Sequence, residues 1–151
     1  MKKSIFLLLA LPLLLVGCKK NEVVVFGEPV TVKPTTVSPE ACYAYDKDGT
    51  AISLQIKTTG EEVTGTMEYA IAEKDKNTGA IKGKWTKDIL LLDYTFQSEG
   101  TESTRQVAFQ LKDNQLVEGY GEMNEDGTKF KDASQLTFTS TMPLSKTDCP
   151  K

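Results

Sequence analysis

Arg105 is the residue whose type and position most suggest a binding site. It is the only arginine in the chain, and it alternates with Val107, Phe109 and Leu111. In a regular strand this spacing turns all four side chains to one apolar face. A guanidinium on such a face needs a partner, because an unpaired buried charge is costly. The candidate carboxylate partners are Glu99, Glu118 and Glu122.

Three interpretations of Arg105 stay open at this point. The first is a structural ion pair with one of these carboxylates, and the second is simple exposure at a strand end. The third is a site for the carboxylate of a ligand, or another anion, with the tyrosine hydroxyls assisting. The ligand-binding set on the third interpretation is Arg105, Tyr94, Tyr120 and Glu118.

The composition argues against most kinds of catalysis. The chain contains no histidine and three cysteines, which removes the common zinc and copper sites and the Ser-His and Cys-His pairs. Asp46, Asp48 and Gly49 begin like a calcium loop, but the glycine comes too early and no glutamate closes the spacing. The sequence therefore predicts no catalytic residue, metal or cofactor, and leaves an enzyme that uses carboxylates alone as a minor alternative.

The N-terminus predicts export and a lipid anchor. Lys2 and Lys3 precede the apolar stretch 5–16, as in a secretory signal, and the stretch is shorter than the roughly 20 residues that span a bilayer. Its end, Leu15-Val16-Gly17-Cys18, resembles the lipobox of bacterial lipoproteins. The resemblance implies that signal peptidase II cuts before Cys18 and that Cys18 carries acyl chains such as palmitate, which hold the protein on a membrane. A simple secreted protein is the alternative.

The residues after Cys18 and the net charge indicate location and partners. Lys19 stands where inner-membrane lipoproteins have aspartate, so the resemblance favours the outer membrane and leaves its periplasmic and surface faces open. The formal charge of −3 becomes more negative once Lys2 and Lys3 are removed, which argues against nucleic acid as a partner. The expected partners are the membrane, a small molecule or an envelope protein.

The two remaining cysteines predict a disulfide. If Cys18 carries lipid, two cysteines remain, Cys42 and Cys149. In an oxidising compartment an even number of cysteines favours pairing. A loop of this length contributes about 4 to 5 kcal/mol in the chain-entropy model. Two independent buried thiols are the alternative.

The chain divides into three parts. Residues 1–17 form the signal peptide and residues 18–40 a tether with prolines at 29, 34 and 39, although its segment 23–26 could instead add a strand. Residues 41–151 alternate apolar and polar positions between turn signals, one of them at 76–79. The predicted strands lie at 42–46, 50–57, 62–73, 80–86, 88–98, 103–112, 115–124 and 135–142.

About eight consecutive hairpin strands predict an all-β domain, an antiparallel up-and-down barrel with a sandwich as the alternative. Joining Cys42 to Cys149 favours closure because it brings the first and last strands together. From Cys42 to Cys149, including 93–100 and 118–121, the chain resembles lipocalin-like small barrels and small bacterial lipoproteins. That resemblance implies an architecture and no activity.

The sequence therefore favours a lipid-anchored, non-enzymatic barrel that binds a small apolar or anionic ligand. The alternative is a module that binds or inhibits another envelope protein. A filled barrel interior would favour the second hypothesis, because near eight strands a barrel either fills with side chains or holds one small ligand.

Overall fold

The computed structural model describes residues 39–151. Cys18, the signal segment and residues 18–38 of the predicted tether lie outside the described residues. The strands are β1 Glu40–Lys47, β2 Thr50–Thr59, β3 Glu62–Ala70, β4 Asn77–Thr86, β5 Ile89–Ser98, β6 Thr101–Lys112, β7 Gln115–Tyr120, β8 Thr137–Phe138 and β9 Leu144–Thr147. Within residues 39–151, no helix is long and apolar enough to span a bilayer.

The strands form a closed antiparallel barrel. Strands β1 to β7 pair in chain order. Strand β9 then lies between β7 and β1, with Leu144 opposite Leu116 and Ser145 opposite Ala44. Eight strands therefore close an up-and-down barrel, and β8 is an extra strand that pairs with β7 beyond the end of β9. The predicted fold class is confirmed, in its barrel form.

The predicted last strand at 135–142 is wrong. This region contains a 3-10 turn at Ala133–Gln135 and the two-residue β8, and Leu144–Thr147 closes the barrel instead. The apolar alternation that suggested a strand has another cause. A Cβ added to Gly119 would lie 2.7 Å from a ring carbon of Phe138, and one added to Gly121 would lie 2.6 Å from Leu136. Both apolar side chains cover glycines of the neighbouring segment.

Three other predicted boundaries are wrong. Residues 77–79 of the predicted turn at 76–79 belong to β4, where Gly79 pairs with Met67, and the chain turns at 71–76 instead. Gly79 permits close packing, since an added Cβ would lie 2.6 Å from the Cα of Phe96. Strand β3 ends at Ala70 rather than 73, and β7 ends at Tyr120 rather than 124. Glu122 is therefore not on β7.

The barrel interior is filled with apolar side chains at the end where β4 and β6 finish, which we call the lower part. They point inward from most strands, and Leu54, Leu90, Phe109, Leu116 and Leu144 are almost completely buried. At the opposite end, which we call the mouth, β3, β5 and β7 finish and β4 and β6 begin. The interior is therefore packed with apolar side chains in its lower part, whereas polar side chains enter it at the mouth.

Cys42 and Cys149 join the two ends of the domain. Cys42 lies in β1 and Cys149 follows β9, and their Cα atoms are 5.1 Å apart, at disulfide distance. The bond lies beside the pairing of β1 with β9. The covalent link and the strand pairing thus close the barrel at the same seam.

Candidate functional site

The mouth contains a cavity of about 510 Å³, which we call the mouth recess. Its volume falls in the range of about 300 to 1,000 Å³ that small-molecule sites occupy. Its walls come from β3, β4, β6, β7 and the segments that follow β3, β7 and β8. The polar side chains that line it include those of Tyr69, Lys74, Asn77, Arg105, Glu118 and Tyr120.

Arg105 lies against three aromatic rings. Its guanidinium carbon is 5.3 Å from the ring centroid of Tyr69, 5.4 Å from that of Phe96 and 5.9 Å from that of Tyr94. The rings of Tyr94 and Phe96 are themselves stacked, 4.8 Å apart. Faces of aromatic rings attract cations within about 6 Å of the centroid. Three strands, β3, β5 and β6, therefore position this one charge.

Arg105 does not form the structural ion pair that the sequence allowed. It takes part in none of the ion pairs found among residues 39–151. Glu122 pairs with Lys131, and Glu118 accepts hydrogen bonds from tyrosines. The Nε atom of Arg105 is buried and has no hydrogen-bond partner in the described chain. The rings hold the guanidinium in place without supplying a hydrogen-bond acceptor to its Nε within the described residues.

Glu118 is the carboxylate of the recess. Tyr69 donates a hydrogen bond to its Oε1 over 2.7 Å, and Tyr120 donates one to its Oε2 over 3.4 Å. Burial raises the pKa of Glu118, and the hydrogen bond from Tyr69 and the positive charge of Arg105 offset part of that effect. Burial, and next the charge of Glu118, hold the pKa of Tyr69 well above its ordinary value.

The two other predicted ligand-binding residues have different surroundings. Tyr120 lies at the rim of the mouth recess and is 46% exposed. Tyr94 is completely buried, its hydroxyl has no partner among the described residues, and burial raises its pKa to about 12. Tyr94 therefore supports Arg105 with its ring and does not line the recess. Its predicted assistance through the hydroxyl has no support in this geometry.

Four residues of the site were not predicted. Tyr69 and Phe96 alternate with apolar residues in their strands, which suggests only a core role, although a tyrosine hydroxyl near a strand end needs a polar partner. Lys74 and Asn77 were missed because the turn after β3 was misplaced. The Oδ1 atom of Asn77 is buried and has no hydrogen-bond partner within residues 39–151.

The charges that line the mouth recess are unbalanced. Lys74 and Arg105 are positive and Glu118 is the one acidic side chain of the lining, in a chain whose formal charge is −3. Lys74 is exposed and joins none of the ion pairs found among the described residues. The recess is thus a positive spot on an acidic protein, which favours an anionic ligand.

The fold and the recess together define a small closed barrel with a ligand-sized cavity at one mouth. In the described part of the chain, no three potential metal ligands come together. The chain matches no protein-family model, no curated protein and no solved structure in the comparisons.

Proposed function

We propose that this protein is a bacterial lipoprotein, held on the outer membrane through Cys18, whose barrel binds a small anionic ligand in the mouth recess without catalysis. The anchor is supported by the lipobox-like Leu15-Val16-Gly17-Cys18 and the signal that precedes it. The binding function is supported by the recess itself.

One observation carries the binding proposal. Arg105 lies in an open cavity on three aromatic rings, with no carboxylate paired to it in the described chain and with its Nε unpartnered. An arginine that is already positioned, and that pairs with no carboxylate of the described residues, offers a planar fork that matches the carboxylate of a ligand. Lys74 adds a second positive charge at the same cavity.

The test is titration of the purified full chain in detergent with a small carboxylate such as N-acetyl-L-leucine. We expect R105M to weaken binding by about ten-fold or more, because it removes a charge-assisted hydrogen bond. The matched control is K112M, which removes one positive charge from the exposed far end of the same strand. An unchanged affinity in a folded R105M protein, or no binding of any small carboxylate to the wild type, would contradict the proposal.

A second candidate function is a module that binds another envelope protein. Two observations favour it, the filled lower interior of the barrel and Tyr120, which is an exposed large hydrophobic residue at the rim. A pull-down from envelope extract with wild type and Y120S distinguishes it. A partner that depends on Tyr120 and is indifferent to R105M supports this second function.

A further inference from the structure

Arg105 and Glu118 have opposite charges and line the same cavity, yet they do not pair. Their strands are neighbours, and both side chains point into the barrel. A charge in a partly buried site is costly unless it is paired or hydrogen-bonded. The separation is therefore a feature of the recess that needs an explanation.

Tyr69 keeps the two charges apart. Its hydroxyl donates to Glu118 over 2.7 Å, while its ring lies 5.3 Å from the guanidinium carbon of Arg105. One rigid side chain thus touches both groups, with the carboxylate at its tip and the guanidinium on its face. The ring is held in turn by Tyr94, whose centroid is 5.9 Å away. Packing therefore restrains the side chain that contacts both charges.

A ligand with one charge can pair with either Arg105 or Glu118, but not with both. An anion on Arg105 lies near the carboxylate of Glu118, and a cation on Glu118 lies near Arg105. A ligand that carries both charges meets an opposite charge on each side. Glu118 has room for it, because an ionised carboxylate offers about four acceptor positions and the two tyrosines use two of them.

The remaining walls indicate what else the ligand carries. Ile71, Met123, Phe130 and Met142 line the recess and are half-buried. Apolar walls beside a few positioned polar groups are typical of sites for small organic molecules, and methionine adapts to ligands of different shape. An apolar group attached next to the two charges would lie against these side chains.

We infer that the mouth recess binds a zwitterion, an α-amino acid with an apolar side chain, with its carboxylate on Arg105 and its ammonium on Glu118. This inference rests on the proposed function, since it uses the same cavity and the same arginine. It adds a role for Glu118, which simple anion binding does not need.

The experiment compares three ligands of similar shape on the full chain. L-leucine has both charges, N-acetyl-L-leucine has only the carboxylate, and L-leucinamide has only the ammonium. We expect leucine to bind about ten-fold or more tightly than either analogue. E118Q should abolish the advantage of leucine over N-acetyl-L-leucine, whereas the control E61Q, at an exposed turn at the opposite end of the barrel, should preserve it.

The pH dependence provides a second readout, with opposite signs for the two modes. Glu118 faces Tyr69 from β3, Arg105 from β6 and Tyr120 on its own strand, with Lys74 also at the recess. Both tyrosines have raised pKa values and stay neutral, so Glu118 is the group that titrates in the acid range. As the pH falls through the raised pKa of Glu118, leucine should bind more weakly and N-acetyl-L-leucine more tightly.

The outcomes separate the inference from the proposed function. If N-acetyl-L-leucine binds as tightly as leucine and loses affinity in R105M, the proposed function stands and the zwitterion is overturned. If none of the three ligands binds, the inference is overturned, whereas the proposed function is overturned only if no other small carboxylate binds either. If leucinamide binds most tightly, both are overturned. A preference for leucine that disappears in folded E118Q supports the inference.

Discussion

At the scale of single residues, the tyrosines of the site can act through the aromatic ring and through the hydroxyl group. Tyr69 uses both, the hydroxyl on Glu118 and the ring under Arg105. Tyr94 uses only its ring, because its buried hydroxyl has no partner among residues 39–151. The same residue type therefore has different energetic roles at two adjacent positions of one cluster.

The two hydroxyls predict opposite results for one chemical change. Y69F should lower the free energy of unfolding by about 1 to 3 kcal/mol, because it removes a hydrogen bond to a half-buried acid. Y94F should leave that free energy unchanged or raise it by up to about 1 kcal/mol, since it removes a buried polar group that has no partner. Urea denaturation of the two variants checks this. A larger loss in Y94F than in Y69F would contradict it.

Part of the site could be predicted from the sequence, for a local reason. Strand parity places Arg105 and Glu118 on the inward face, and both indeed point into the barrel. Tyr69 could not be placed beside Glu118, because the two residues lie 49 positions apart and meet across the barrel interior. The alternation of residues along a strand predicts which side chains point inward. It does not predict which residues meet across the barrel, because that depends on how the strands are staggered and how the barrel closes.

At the scale of the strands, glycine decides how closely β4 approaches β5. Gly83 pairs with Leu92, and a Cβ added to Gly83 would lie 2.8 Å from the Cα of Leu92. Glycine at such a position lets another backbone approach closely. Gly83 therefore permits the close pairing of β4 with β5.

G83A should therefore destabilise the barrel although alanine is small. The added methyl has to push backbone apart, so we expect the free energy of unfolding to fall by about 1 to 3 kcal/mol. The control is K84A at the next, exposed position, with a change within about 0.5 kcal/mol. Chemical denaturation measures both, and equal stabilities for the two variants would refute the role of Gly83.

The sequence predicts hairpins better than it predicts the closing strand. Strands β2 and β5 were located almost to the residue, because alternation over ten residues is a strong signal. Strand β9 has four residues, of which only Leu144 is buried, and such a segment shows no period. The closing strand is recognisable only by its partners, β1 and β7.

At the scale of the whole molecule, the barrel combines a filled interior with a cavity at one mouth. A filled core fixes the floor of the recess, because close-packed side chains such as Phe109 and Leu92 move little. A filled and a hollow interior are alternatives for a barrel of about eight strands. The structure shows that each describes one part of the same barrel.

If the proposed lipid anchor is correct, the location of the whole molecule depends on the thiol of Cys18. C18S should abolish metabolic labelling with palmitate and release the protein from the membrane fraction, because the serine hydroxyl does not replace the thiol that receives the lipid. C42S is a control that removes a thiol and keeps Cys18. Palmitate in the C18S protein would show that the anchor assignment is wrong.

The Cys42–Cys149 bond also has a consequence for proteolysis. Together with the backbone between these residues it makes a covalent ring that contains β2 to β9 and the whole mouth recess. A protease that cuts one peptide bond inside this ring opens it without separating the fragments. The two parts of the nicked domain would then stay covalently joined through the bond, and separating them would require its reduction.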